Sequence, residues 1–222
     1  MKNYIYLIAF ATVVGLLFSS CKNDEPGKTE DIALYSQFKV GNYWIYQDYS
    51  IDSLGTESGF GRIDSIYISK DTLINNVQYF VFVGGFYGNS LYPRYQRDSL
   101  GYIVNEKGTK LFSTSNFTDY IFSDIYRTQD SKAMILSRMD WKMSPIKTTV
   151  TVPAGEFEVL VNHGYVTAYY YDKSDVLTDS IKADQYNYYA ANVGQVKRVF
   201  HYYSQFKEKS RKDLRLVRYK VN

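Results

Sequence analysis

Short runs of aromatic and β-branched residues alternate with polar ones, and each run is stopped by a glycine, asparagine or proline turn. A period of two broken by turn residues is the signature of antiparallel sheet. Residues 42–52 carry Tyr43, Ile45, Gln47, Tyr49 and Ile51 on one face and Trp44, Tyr46, Asp48 and Ser50 on the other. Ser53-Leu54-Gly55-Thr56 turns the chain, and residues 60–69 return with Ile63, Ser65, Tyr67 and Ser69 opposed to Arg62, Asp64, Ile66 and Ile68. That is a hairpin. Asn75-Asn76 precedes another run at 77–83, which Gly84-Gly85 breaks. Runs at 91–97, 102–105 and 110–113 are separated by Asp98-Ser99-Leu100-Gly101 and Glu106-Lys107-Gly108-Thr109, and Pro93 predicts an edge position for its strand. Runs at 148–152, 156–162 and 165–171 are divided by Pro153-Ala154-Gly155 and His163-Gly164, and the last strands fall at 195–203 and 214–221. The expectation is an all-β chain: a single domain with a curved antiparallel sheet, as half-barrel or sandwich, of about ten strands. At most one or two short helices fit, at 131–140, where Ala133, Met134, Ile135 and Met139 offer an apolar side, and as a single turn within 29–35.

Composition narrows the function. Aromatic residues make up 18% of the 222, with 24 Tyr, 13 Phe and 2 Trp, while 45% apolar and 22% charged residues are ordinary for a folded chain. One cysteine excludes a disulfide scaffold, and two histidines, His163 and His201, exclude a site of three imidazoles. A net charge of +3 is too small to argue for nucleic acid, so no nucleic-acid partner is expected. From residue 32 onward the composition is steady and no linker divides the chain.

The start of the chain is different. Met1-Lys2-Asn3 is followed by an uncharged, mostly apolar run at 4–18, then Ser19, Ser20 and Cys21. As a helix this run falls short of the roughly 20 residues a bilayer crossing needs, and its order matches a secretory signal peptide. Leu17-Phe18-Ser19-Ser20-Cys21 resembles the lipobox of bacterial lipoproteins, with Phe18 in the place of the usual leucine. The resemblance implies cleavage after residue 20, acylation of Cys21, and a bilayer contact through its lipid; each buried methylene contributes about 0.8 kcal/mol. Residues 21–31 then form a polar tether and 32–222 the β domain. Lys22-Asn23-Asp24-Glu25 resembles the acidic export tag of Bacteroidetes surface lipoproteins, which implies an outer-membrane location facing outward, with the periplasmic side as the alternative. The run Val152-Pro153-Ala154-Gly155-Glu156-Phe157-Glu158-Val159-Leu160, the segment from Tyr188 to Lys197 and the opening Val40-Gly41-Asn42-Tyr43-Trp44 are loosely similar to outer-membrane lipid-carrier lipoproteins. That similarity implies a curved sheet partly wrapped around a helix, and fold does not fix function.

No nucleophile elbow, zinc helix, phosphate loop or dinucleotide fingerprint is present in the sequence, so neither catalytic residues, a metal nor a cofactor is assigned. His163 reads as part of a hairpin turn and His201 as part of an aromatic strand. Glu156 and Glu158 share a strand face, as a glycosidase pair would, but a solvated polar face explains them better. The tyrosines carry the sharper idea: Tyr165, Tyr169 and Tyr171 share one face with Tyr170 on the other, and Tyr186, Tyr188 and Tyr189 follow. Flat rings with polar tips suit sugars and protein partners, so Tyr165, Tyr169, Tyr171 and Tyr188 are the candidate binding aromatics on a concave face. Arg198, Lys207, Lys209, Arg211, Lys212, Arg215, Arg218 and Lys220 could meet anionic headgroups near the anchor, but they read better as a solvated hairpin with a charged turn at 207–212. Five Asp-Ser/Thr-aliphatic tripeptides resemble the Bacteroidetes O-glycosylation sequon, naming Ser53, Ser65, Thr72, Ser99 and Ser180, expected at exposed turns. The expected function is a non-enzymatic binding module for a glycan, lipid or outer-membrane protein. A structural subunit of a surface complex is the alternative and a hydrolase the third.

Overall fold

The structure, a computed structural model, describes residues 31–85, 92–129, 134–201 and 211–222. Cys21, the apolar run before it and most of the tether lie outside the described residues.

Alternation decides which face each strand buries. Strand β1 (Tyr43–Ile51) buries Trp44, Tyr46 and Asp48 and leaves Tyr43, Ile45 and Gln47 half-exposed. It turns through Gly55 into β2 (Glu57–Ile74), where Asp64, Ile66 and Ile68 are the buried set. Asn75 and Asn76 both adopt positive φ, 51° and 62°, the backbone of a tight two-residue hairpin turn, and lead into β3 (Val77–Gly84). Gly84 must be glycine: its φ is +88° and a Cβ would collide with the Ser65 carbonyl of the paired strand. The chain continues through β4 (Arg94–Ser99), β5 (Tyr102–Asn105), β6 (Lys110–Ser113), β7 (Tyr120–Gln129) and β8 (Met134–Met143). It ends with β9 (Thr148–Val152), β10 (Gly155–Tyr171), β11 (Leu177–Ala190), β12 (Gly194–His201) and β13 (Arg211–Lys220).

These thirteen strands form one sheet among the described residues, in the order β6-β5-β4-β3-β2-β1-β13-β12-β11-β10-β8-β7, with β9 paired to β10. All pairings are antiparallel. Apart from β9, going round the sheet is going along the chain, and the first and last strands pair with each other. The two ends of the sheet, β6 and β7, approach one another, so the sheet curls into a nearly closed barrel. The single turn of helix α1 (Ala33–Ser36) sits against the β11–β12 connection, where the Asn192 amide donates to the Leu34 carbonyl at 2.6 Å. Beside it the Trp44 indole N–H donates to the Val193 carbonyl at 2.6 Å. One core cluster gathers Trp44, Tyr46, Ile66, Ile68, Phe82, Val196 and Leu216; a second joins Tyr35, Ile103, Phe112, Trp141, Met143 and Leu160.

Four expectations are corrected. The short helix at 131–140 is strand from Met134 on, because β8 lies between β7 and β10 and both satisfy its backbone, overriding a helical local pattern; residues 131–133 lie outside the described residues. His163-Gly164 is no turn but the middle of the continuous strand β10, paired on both sides. Pro93 does not mark an edge: β4 lies between β3 and β5, and the proline precedes its first residue, so no ladder hydrogen bond is lost. The charged turn placed at 207–212 is strand from Arg211 on, with 207–210 outside the described residues.

Candidate functional site

The inward face of the barrel is not uniformly apolar. Asn187 and Arg198 are register partners on β11 and β12, so they project to the same side. Together with Arg94 of β4, Lys110 and Leu111 of β6, Phe122 of β7, Trp141 of β8, Asn162 of β10, Tyr189 and Gln195 they line a cavity of about 190 Å³. A smaller lobe of about 70 Å³ shares Arg94, Tyr189 and Gln195 and reaches Tyr35, Trp44 and Tyr46.

The wall is assembled by specific contacts. Trp141 pairs with Gly164, and the bare glycine gives the indole its place: a Cβ there would lie 2.9 Å from three indole carbons. Asn162, 2% exposed, reaches from β10 to the sheet end and donates from Nδ2 to the Leu111 carbonyl at 2.9 Å. Its Oδ1 is buried and accepts no hydrogen bond. Gln195 donates from Nε2 to Asn187 Oδ1 at 3.0 Å, and the Tyr46 hydroxyl donates to the Gln195 carbonyl at 2.7 Å. Phe112 packs on the Tyr189 ring with centroids 4.3 Å apart.

The electrostatics are one-sided. Among the described residues that line the larger lobe there are three cations and no carboxylate, histidine, serine or cysteine. Arg94 stays accessible to water at the rim. Its enclosure by protein first, and the nearby Arg198 second, push its pKa below the ordinary arginine value. Burial raises the Tyr189 phenol to about 12 against the opposing pull of Arg198 and Arg94, and burial likewise raises Tyr46, so both remain protonated at neutral pH. The cavity can therefore hold an anion with guanidinium, ammonium and phenol donors. No group of three or more metal-ligating side chains occurs among the described residues.

The residues singled out in the sequence lie elsewhere. Tyr165, Tyr169 and Tyr171 share a face of β10, but it is the outer face of the barrel and not a concave one; Tyr170 is buried opposite. His163 stacks on Tyr165 at 4.0 Å and on Tyr186 at 4.4 Å, Tyr186 continues to Tyr188 at 6.1 Å, and Tyr120 meets Tyr165 edge-on at 6.3 Å. The structure thus joins Tyr165 and Tyr188 through His163 into an exterior aromatic stack, which Tyr169 and Tyr171 do not enter. His163 Nε2 lies 2.7 Å from Asp184 Oδ1, and His201 Nδ1 of β12 lies 2.6 Å from the Asp184 carbonyl of β11. Glu156 and Glu158 are exposed, the latter bonded by Lys147 at 3.0 Å. Ser53 sits exposed in the β1–β2 turn. The other four sequon positions are in strands: Ser65 and Ser180 exposed, Thr72 and Ser99 half-buried. Much of the basic C-terminal end is spent on one buried acid: Lys197, Arg211 and Arg215 surround Asp213, and Arg215 also pairs with Glu57 at 2.6 Å.

Sequence reasoning named Arg198 and Tyr189 but gave neither to a cavity, Arg198 being expected in a solvated hairpin where the structure puts it on the cavity wall, and it missed the other lining residues. The one local signal was polar residues at inward positions of buried strands, such as Asn162 beside Leu160 and Val161.

No protein-family model matches the sequence, and no curated protein matches it. Among solved structures the chain is similar to a protein from Bacteroides fragilis described as a candidate exported protein with a YmcC-like fold, at 16% identity over 82% of this chain and 96% of that one, with a TM-score of 0.43. It is also similar to a candidate lipoprotein from Parabacteroides distasonis, at 13% identity over 82% and 96% of the two chains, with a TM-score of 0.42.

Proposed function

We propose that this chain is an exported binding module, held at the outer membrane through acylated Cys21 and facing outward, that takes a ligand into the barrel interior without turning it over. The observation that carries the reading is the cavity of about 190 Å³ walled by three cations and three side-chain amides. A packed barrel with no ligand gains nothing from polar groups there, since unsatisfied buried polar groups destabilise it. The lipobox-like residues around Cys21 support the anchor. Two measurements test the two halves. Radiolabelled palmitate is expected in the wild type and lost in Cys21→Ser; label in both, or in neither, removes the anchor. On a mixed array of glycans and lipids, the protein extracted from membranes in detergent is expected to bind one class, and Asn187→Trp, which fills the cavity, is expected to abolish that binding while the circular dichroism spectrum is kept. Binding indifferent to the filled cavity removes the interior site.

The exterior stack of Tyr165, His163, Tyr186 and Tyr188 favours a second reading, an accessory subunit of a surface complex. In that case Tyr165→Ser with Tyr186→Ser shifts the detergent-extracted protein from a large assembly to the size of one chain on gel filtration. Wild type and variant eluting together remove it.

A further inference from the structure

We infer that the barrel interior takes a compact hydroxylated anion the size of one sugar ring, an acidic monosaccharide bearing a carboxylate or phosphate, held by Arg94 and Arg198 on its charge and by Asn162 on a hydroxyl. The inference rests on the interior being the ligand site and goes on to name its chemistry.

Charge is the first argument. Arg94 makes no hydrogen bond or ion pair among the described residues, and its nearest electrostatic neighbours are Arg198, Tyr46 and Tyr189. Arg94 lies at the water-accessible rim, the like charge of Arg198 works against its own, and an anion beside Arg94 offsets that repulsion. The rigid fork of arginine suits a carboxylate or a phosphate alike.

Asn162 supplies a second, independent argument. Its Nδ2 is committed to the Leu111 carbonyl, which fixes the amide's orientation and leaves Oδ1 as an acceptor. That oxygen is buried, unpartnered and on the cavity wall. A buried acceptor without a donor is costly, and a ligand hydroxyl would supply one where an alkyl chain would not.

Size and shape complete the assignment. About 190 Å³ modestly exceeds the roughly 150 Å³ that accommodates benzene, so the space has room for one ring. Trp141 and Phe122 supply apolar lining for such a ring, and Asn187 and Gln195 supply amides.

The test is titration calorimetry on the protein extracted from membranes in detergent, with four probes: glucuronate, glucose 6-phosphate, glucose and hexanoate. Glucuronate, glucose 6-phosphate or both are expected to bind at least tenfold more tightly than glucose and hexanoate, and which of the two binds distinguishes carboxylate from phosphate. Arg94→Gln and Arg198→Gln are each expected to weaken that binding at least tenfold, in line with hydrogen bonds to charged groups. Affinity of the unaltered protein should also fall as salt is raised, which keeps the test decisive if a variant does not fold. Glucose binding as tightly as glucuronate, and losing it in Asn187→Trp, overturns the anion while leaving the interior site standing. Hexanoate matching glucuronate overturns the hydroxylated ring. Binding of none of the four overturns the inference, and the array then decides alone whether the interior is a ligand site.

Discussion

At the scale of single residues, small changes of chemistry decide what the barrel holds. Gly164 has an ordinary strand backbone, so its lack of a side chain is a matter of space alone: it lies flat under the Trp141 indole. Gly164→Ala is expected to destabilise the fold by about 1–3 kcal/mol, because neither strand nor ring can move far in a packed sheet. A denaturant melt would show the loss, and altered tryptophan fluorescence would show the indole displaced; an unchanged melt would mean the ring has room that the geometry denies it. The sequence offered this glycine as a turn marker, since His-Gly between two strand-like runs reads that way locally. Only the pairing of β10 with β8 shows what the missing side chain accommodates. Asn162 is visible locally only as a polar residue in an apolar run; that its oxygen lies on a cavity wall follows from the tertiary structure alone.

At the scale of elements, the single turn of α1 is tied to the sheet by the Ser36 hydroxyl, which donates to Asp98 Oδ2 at 2.9 Å. Burial raises the Asp98 pKa, Ser36 opposes the rise and Asp31 adds to it. A folded-state pKa above the unfolded value means that the native state holds the proton more tightly. The resulting stability is present below the unfolded pKa and lost as pH rises through the folded one. Asp98→Asn removes the charged form and can keep the bond from Ser36, so its melting temperature is expected to exceed the wild type's at about pH 7 and to converge with it at about pH 3. Parallel melting curves at both pH values would contradict the assigned direction. The hairpins were legible as elements: the β1–β2 pair, the Asn75-Asn76 turn and the strands from 148 to 162 follow from alternation and turn chemistry. Strands β7 and β11 were not anticipated. Their apolar positions are diluted by charged and hydroxyl residues on the outer face, so neither period stands out.

At the scale of the whole molecule, closure rests on the pairing of the first strand with the last. Deleting residues 211–222 would remove β13 and leave the edges of β1 and β12 unpaired, with Lys197 stripped of its buried partner Asp213. Unpaired edges in so aromatic a sheet favour aggregation, and the shortened chain is expected in the insoluble fraction. Recovery of a soluble product with the parent's circular dichroism would show that the remaining sheet closes without β13. An all-β class, antiparallel hairpins and the division of β1 into two faces followed from the sequence alone, because strand period and turn chemistry act between residues close in the chain; which face is buried did not. The near-closure of the barrel, the outward placement of Tyr165, and the meeting of Arg94, Asn162 and Arg198 around one cavity were decided only by the tertiary structure. Those residues lie on strands far apart in sequence, and it is curvature of the whole sheet, summed over every pairing, that brings them face to face.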